Sequence, residues 1–312
     1  MSDLKVVISD STLLKDAKLA FFQLTFQMIG LSLLVDAINV FFLSGLGIDP
    51  KLSVLFKLIL ISLALFQIGA YAPKVLAFVL IFFIFMLIGA IISFFETISL
   101  AGFVDDLTSG LKIYTAMIIF IYVALACHKW PPLVQKYGKW CLIFAFIVLS
   151  ANMVLGLLGF GFSSYGNVDS ESSSAIGIIL SGRDEFIVSA LDAFMRYANL
   201  ADILFGLSKA GLGLINKNAM EIDPIDMYLW HGVFGILLFL TYLAMFFRVY
   251  YLSAVNKDSE WGSAVLLINI VLFAVSIIAG HILTSGMLAP FLGLINGLAY
   301  ADLCLNKKII KS

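Results

Sequence analysis

Long apolar stretches recur along the chain, divided by short polar ones, and a single polar stretch is much longer than the rest. A membrane-crossing helix needs roughly 20 predominantly apolar residues, with a range of about 17–25. Stretches at 19–46, 52–71, 75–96, 112–128, 140–162, 227–249, 262–281 and 286–304 meet that requirement. The pattern predicts an all-α, polytopic membrane helix bundle of about eight spans, forming one membrane domain over 1–312. An even number of spans puts both termini on the same side. The long polar stretch, 163–227, is predicted to be a large outer loop containing short helices.

Composition agrees with the pattern. Hydrophobic residues make up 62% of the chain and charged residues 12%, against about 25% charged in soluble domains. The net charge of −1 gives no basis for nucleic-acid binding. Cys127, Cys141 and Cys304 show no metal-site or redox spacing. The mixed-charge start of the chain resembles a cytosolic tail rather than a signal peptide.

Lysine and arginine counts set the orientation, because cytoplasmic loops collect them. With the N-terminus inside, the inner segments hold twelve and the outer segments six. The segment 128–140 is basic and has no acid. Both termini are therefore expected in the cytoplasm, with 163–227 outside.

Several charged residues fall within or beside spans. Asp36 and Lys57 lie in the first two, where an ionisable group faces a partner or a cavity. They read either as an internal ion pair or as a site at which Lys57 meets an anionic ligand. Asp105-Asp106, in the predicted loop 96–111, read as cation ligands or as solvated loop acids. Two carboxylates fill few of a cation's ligand positions, which favours the solvated reading. His231 and His281, near span ends, read as functional groups or as side chains bonded to backbone carbonyls.

The outer region has internal architecture. Ser181-Gly182-Arg183-Asp184 fits the capping-box form of a helix start. Glu185, Ser189, Asp192 and Arg196 then form one narrow polar stripe on an otherwise apolar helix. Arg196 lies four residues after Asp192, the spacing of a helical ion pair. Arg183 is displaced from the stripe by about 140°, at ~100° per residue. A cation at a helix N-terminus opposes the dipole, whereas the same cation beside free N–H groups makes an anion site. The glycine-rich turn 204–213 permits close backbone approach, and Lys209 sits within it. In Glu221-Ile222-Asp223-Pro224-Ile225-Asp226, Pro224 fits the first position of a helix with Asp223 as its cap. Capping accounts for Asp223 and Asp226 and leaves Glu221 as a candidate base or hydroxyl-orienting group.

These residues resemble the O-antigen polymerases, within the O-antigen ligase and polymerase superfamily. The resemblance rests on Ser181-Gly182-Arg183 before an apolar helix, the Phe205-Gly206 turn, and the run Glu221-Ile222-Asp223-Pro224-Ile225-Asp226-Met227-Tyr228-Leu229-Trp230-His231-Gly232 continuing to Gly235. Ala279-Gly280-His281-Ile282-Leu283 and Ser285 are also similar, and the likeness covers 175–300. It implies a GT-C-like glycosyltransferase of the bacterial inner membrane, active at the periplasmic face in surface polysaccharide or lipopolysaccharide biosynthesis. Repeat units carried on undecaprenyl diphosphate are donor and acceptor, and the lipid diphosphate leaves. The resemblance implies no metal or other cofactor, and it admits a chain-length regulator as a protein partner. Arg183 matches the arginine expected to hold the diphosphate. Lys57, Lys112, Arg196, Lys209, His231 and His281 are further candidates for substrate binding, and Glu221 and Asp223 for catalysis. The ligases carry a histidine where this chain has Glu221, which points to polymerase over ligase. The family commonly has more spans than eight. A transporter or flippase of a lipid-linked or anionic substrate is the alternative from another class: Asp36, Lys57 and His231 would suit a translocation path. Transporters often have two related halves, and none are seen here.

Overall fold

The computed structural model describes residues 2–48, 51–155, 183–215, 222–255, 262–278, 282–283 and 288–311. Among them the chain forms eleven helices and no strand. They are α1 (Ser2–Leu46), α2 (Leu52–Tyr71), α3 (Pro73–Thr97), α4 (Leu100–Lys129), α5 (Pro131–Leu155), α6 (Arg183–Tyr197), α7 (Leu200–Phe205), α8 (Ser208–Ile215), α9 (Asp223–Val255), α10 (Gly262–Ile278) and α11 (Ala289–Lys311). Six contain segments long and apolar enough to cross a membrane: Ala17–Leu43, Leu52–Tyr71, Pro73–Thr97, Leu100–Lys129, Pro131–Ala151 and Asp223–Val249. The chain is thus a multi-pass helical membrane protein by length and composition. Of the last two expected spans, α10 is apolar but shorter, and α11 is not among the six.

Local chemistry sets the boundaries. Proline opens α3 and α5, where its missing N–H is one the helix leaves unpaired anyway. Ser99 caps α4 by accepting from the Gly102 N–H at 3.0 Å. Asn199 and Asp202 form a reciprocal capping box on α7. The start of α9 falls one residue from expectation: the Ile222 carbonyl accepts the first helical bonds, so Asp223 is already helical and Pro224 follows it.

α4 and α11 form the central pair. The face of α11 from Ala289 to Leu303 is buried on nearly all sides. Gly293 and Gly297 bring it close to α4: a Cβ on Gly293 would lie 2.4 Å from the Ala116 carbonyl oxygen, and one on Gly297 2.6 Å from Val123. This is the small-residue spacing by which membrane helices approach without bulky side chains between them. Asn296 of α11 and Asn269 of α10 exchange two amide hydrogen bonds, at 2.8 and 3.0 Å. α1, α2, α3 and α5 surround the pair, and Phe66, Phe95 and Phe146 point outward, as expected of a surface in hydrocarbon.

One correction changes the site. The predicted loop 96–111 is largely helix, because α4 begins at Leu100. Asp106, Ser109, Gly110 and Ile113 follow at helical spacing on its buried face. Asp106 is therefore a buried group rather than a solvated loop acid, while Asp105 remains exposed. Its cost is offset by a partner in a distant part of the chain.

Candidate active site at the break in α9

α9 is interrupted at Gly232, nine residues after its start at Asp223. Gly232 has φ 60° and ψ −145°, a conformation open to glycine and strained for any L side chain. The α7–α8 turn fills the break. Gly206, at φ 81°, lies so close that a Cβ there would be 2.2 Å from the Trp230 carbonyl carbon. A Cβ on Gly232 would be 2.5 Å from the Ile203 carbonyl oxygen. The Leu207 N–H donates to the Leu229 carbonyl at 2.9 Å. Two glycines thus allow backbone to cross backbone where a spanning helix opens. Interrupted helices at membrane depth are tolerated where they are buried in protein or line a cavity.

A small cavity lies beside the break, on the scale of a single water. Asp106 and Ser109 of α4, Ser208 and Lys209 of α8, and Trp230 and His231 of α9 line it. Asp106 Oδ1 accepts from the Ala210 N–H at 2.9 Å, which caps α8 from another helix. Ser208 donates to Ser93 at 2.6 Å and accepts from the Gly211 N–H at 3.2 Å. Both serine hydroxyls lie near the Asp106 carboxylate without reaching hydrogen-bond geometry at Oδ2. Asp106 Oδ2 and His231 Nε2 are both buried without a hydrogen-bond partner among the described residues. Two unpartnered polar atoms on residues that line one cavity are costly unless a ligand or water meets them.

Lys209 brings a cation to this cavity. Lys209 pairs with Asp105 at 3.1 Å. Lys112, on the same α4 face region, is within electrostatic reach of Lys209, Lys57, Asp105 and Asp36. Lys57 and Lys112 line a second small cavity with Thr108 and Thr115. Lys57 itself is engaged: its ammonium donates to Asp36 Oδ1 at 2.5 Å and to Ser53 at 2.9 Å, and Ser53 also donates to Asp36. The internal-pair reading of Asp36 and Lys57 describes this geometry.

The remaining predicted residues separate. Arg196 forms the expected pair with Asp192, at 2.5 Å on an exposed helix face. Asp223 is fully buried and accepts from Ser276 Oγ at 2.7 Å and from the Ile282 and Leu283 N–H groups at 2.8 and 2.9 Å. Its carboxylate ties the 282–283 turn to the start of α9. Glu221 and His281 lie outside the described residues, as does the side chain of Arg183, whose backbone opens α6.

Of the expected substrate-binding residues, the structure therefore brings Lys209 and His231 to one cavity. Asp106 joins them, and the hydropathy pattern had placed it in solvent. Its signal was the spacing of Asp106, Ser109 and Gly110 ahead of Ile113, which matches the buried stripe of α4. Chemically, a carboxylate and an imidazole lining one cavity can accept a proton or orient a hydroxyl, and the lysines can offset an anion. Among the described residues no third His, Cys, Asp or Glu converges with them as a metal site would require. Compared with known protein families, curated proteins and solved structures, the chain matches none.

Proposed function

We propose that this chain is a membrane glycosyltransferase that polymerises oligosaccharide repeat units carried on undecaprenyl diphosphate. The observation that carries the proposal is the cavity at the break in α9, where Asp106 Oδ2 and His231 Nε2 are unpartnered and Lys209 stands beside them. In the reaction, an acceptor hydroxyl oxygen bonds to the anomeric carbon of the donor glycan. The bond from that carbon to the diphosphate oxygen breaks, and the hydroxyl proton passes to a base. Diphosphate is a good leaving group, so the protein's work is to orient the hydroxyl and offset the departing charge. Asp106 or His231 fits the first role, and Lys209 and Lys112 the second, with Arg183 at the head of α6 supplying the cation that the resemblance assigns. The hydrogen bonds that Asp223 accepts from Ser276, Ile282 and Leu283 suit it to a positioning role.

The interrupted helix also favours a second reading, since transporters of anionic substrates place discontinuous helices at their binding sites. One experiment separates the two. The gene is deleted in its host, and surface glycan is resolved on a gel after complementation with wild type, Asp106→Asn, His231→Gln, Arg183→Ala or Glu221→Ala. A polymerase deletion leaves single repeat units on the lipid core. Either Asp106→Asn or His231→Gln should then lower chain elongation by about a hundredfold, as expected for loss of a proton-transfer group. A bare core in the deletion strain would support the transporter, and an unchanged ladder there would end both readings.

A further inference from the structure

The largest cavity described lies at the other end of α4. It measures about 290 Å³, near the lower bound of ligand pockets. Phe120, Ile121, Ala124, Leu125 and His128 contribute one stripe of α4 to it. Met245, Arg248 and Val249 of α9 and Tyr300 of α11 complete the walls. Its polarity is graded along the helix. His128 and Arg248 are exposed and sit at the ends of their candidate spans. From there the wall is apolar for eight residues back to Phe120, roughly 12 Å at 1.5 Å per residue.

The mouth is electropositive. Arg248 makes no ion pair among the described residues, and the His128 ring stands edge-on to Tyr300 with centroids 6.1 Å apart. Lys129 is nearby on α4, over the Tyr71 ring at 3.6 Å. Among the described residues no acid lines the cavity. The nearest along α11, Asp302, is two residues beyond Tyr300, about 200° round the helix at ~100° per residue. A cationic mouth at a span end above an apolar channel complements a molecule with an anionic head and a hydrocarbon chain.

We propose that this cleft binds an anionic phospholipid, with its phosphate at Arg248 and His128 and one chain against Phe120, Ala124 and Leu125. The guanidinium supplies a planar donor fork that suits phosphate, and the chain lies along the apolar stripe of α4. The cleft is separate from the cavity at the α9 break, and the proposal stands whether or not that cavity transfers sugars.

The test uses the full chain in detergent, titrated with phosphatidylglycerol and with phosphatidylcholine of the same chains, and bound lipid counted by native mass spectrometry. The first phosphatidylglycerol should bind about fivefold more tightly or better, the worth of one basic side chain at a membrane surface. Arg248→Gln, an exposed change, should abolish that preference. Ala124→Trp, which fills the channel, should remove the tight binding event, and glycerol phosphate without chains should not compete. Lys139→Gln, an exposed cation on α5, should leave the preference intact. Equal binding of the two lipids by wild type would overturn the proposal, as would an equal loss from Lys139→Gln, the sign of diffuse surface charge only. Competition by glycerol phosphate would overturn the lipid assignment in favour of a free phosphate site.

Discussion

Lys57 and Lys112 line one small cavity, and their partners set them apart. Lys57 neutralises Asp36, whose second oxygen is already buried without a partner among the described residues. Removing one member of a buried pair leaves an uncompensated charge and costs about 3–5 kcal/mol. Lys57→Met should therefore lower the thermal unfolding midpoint in detergent sharply, and Asp36→Asn combined with it should recover most of the loss. Lys112 has no hydrogen bond or ion pair among the described residues, so Lys112→Met should fall within the ±0.5 kcal/mol of an ordinary substitution or stabilise. If Lys112 holds an anionic substrate, the same variant lowers glycan elongation without lowering the midpoint. A midpoint that falls as far in Lys112→Met as in Lys57→Met would show that both lysines are structural. The pair itself was legible as two ionisable residues at similar depth in adjacent spans. The contrast with Lys112 was not, because hydropathy placed that residue at a span boundary rather than over a cavity.

At the scale of the element, the break in α9 is built from two glycines that belong to different helices. Gly232 stood in the sequence inside a long apolar run, where a glycine commonly serves helix packing. Only its contact with the 203–206 segment distinguishes it. Gly206 was legible as part of a glycine-rich turn suited to close approach, and the structure supplies what it approaches. Asp106 follows the same logic: its partner, the Ala210 N–H, is 104 residues away, beyond any local pattern. The Gly293 and Gly297 spacing is local and readable, but the α4 carbonyl it accommodates is not. A comparison of glycines tests the break. Gly47 has φ 67° and nothing within 4 Å of where a Cβ would sit, so Gly47→Ala carries backbone strain alone, about 1–3 kcal/mol. Gly232→Ala carries similar strain and also meets backbone at 2.5 Å. It should lower the unfolding midpoint well below that of Gly47→Ala, and it should impair elongation by displacing α7 and His231. Equal midpoints for the two variants would mean that α7 yields freely and does not brace the break.

At the scale of the whole molecule, α4 separates two chemically different ends. Its 30 residues extend roughly 45 Å at 1.5 Å per residue. The first end gathers Asp105, Asp106 and the α8 lysine, and the second carries His128, Lys129 and, across the cleft, Arg248. α5 follows at once, with Lys136 and Lys139 exposed on its opening turns, so basic side chains concentrate at the second end. Because cytoplasmic segments collect Lys and Arg, that end should face the cytoplasm and the α9 cavity the outside. Thiol labelling decides the matter in a background lacking Cys304, since Cys127 and Cys141 are buried. A membrane-impermeant maleimide should label Tyr197→Cys, at the exposed end of α6, in intact spheroplasts. It should label Lys139→Cys only after the membrane is opened. The reverse pattern would place the α9 cavity in the cytoplasm, where polymerisation at the periplasmic face is impossible, and the glycosyltransferase proposal would fall with the orientation.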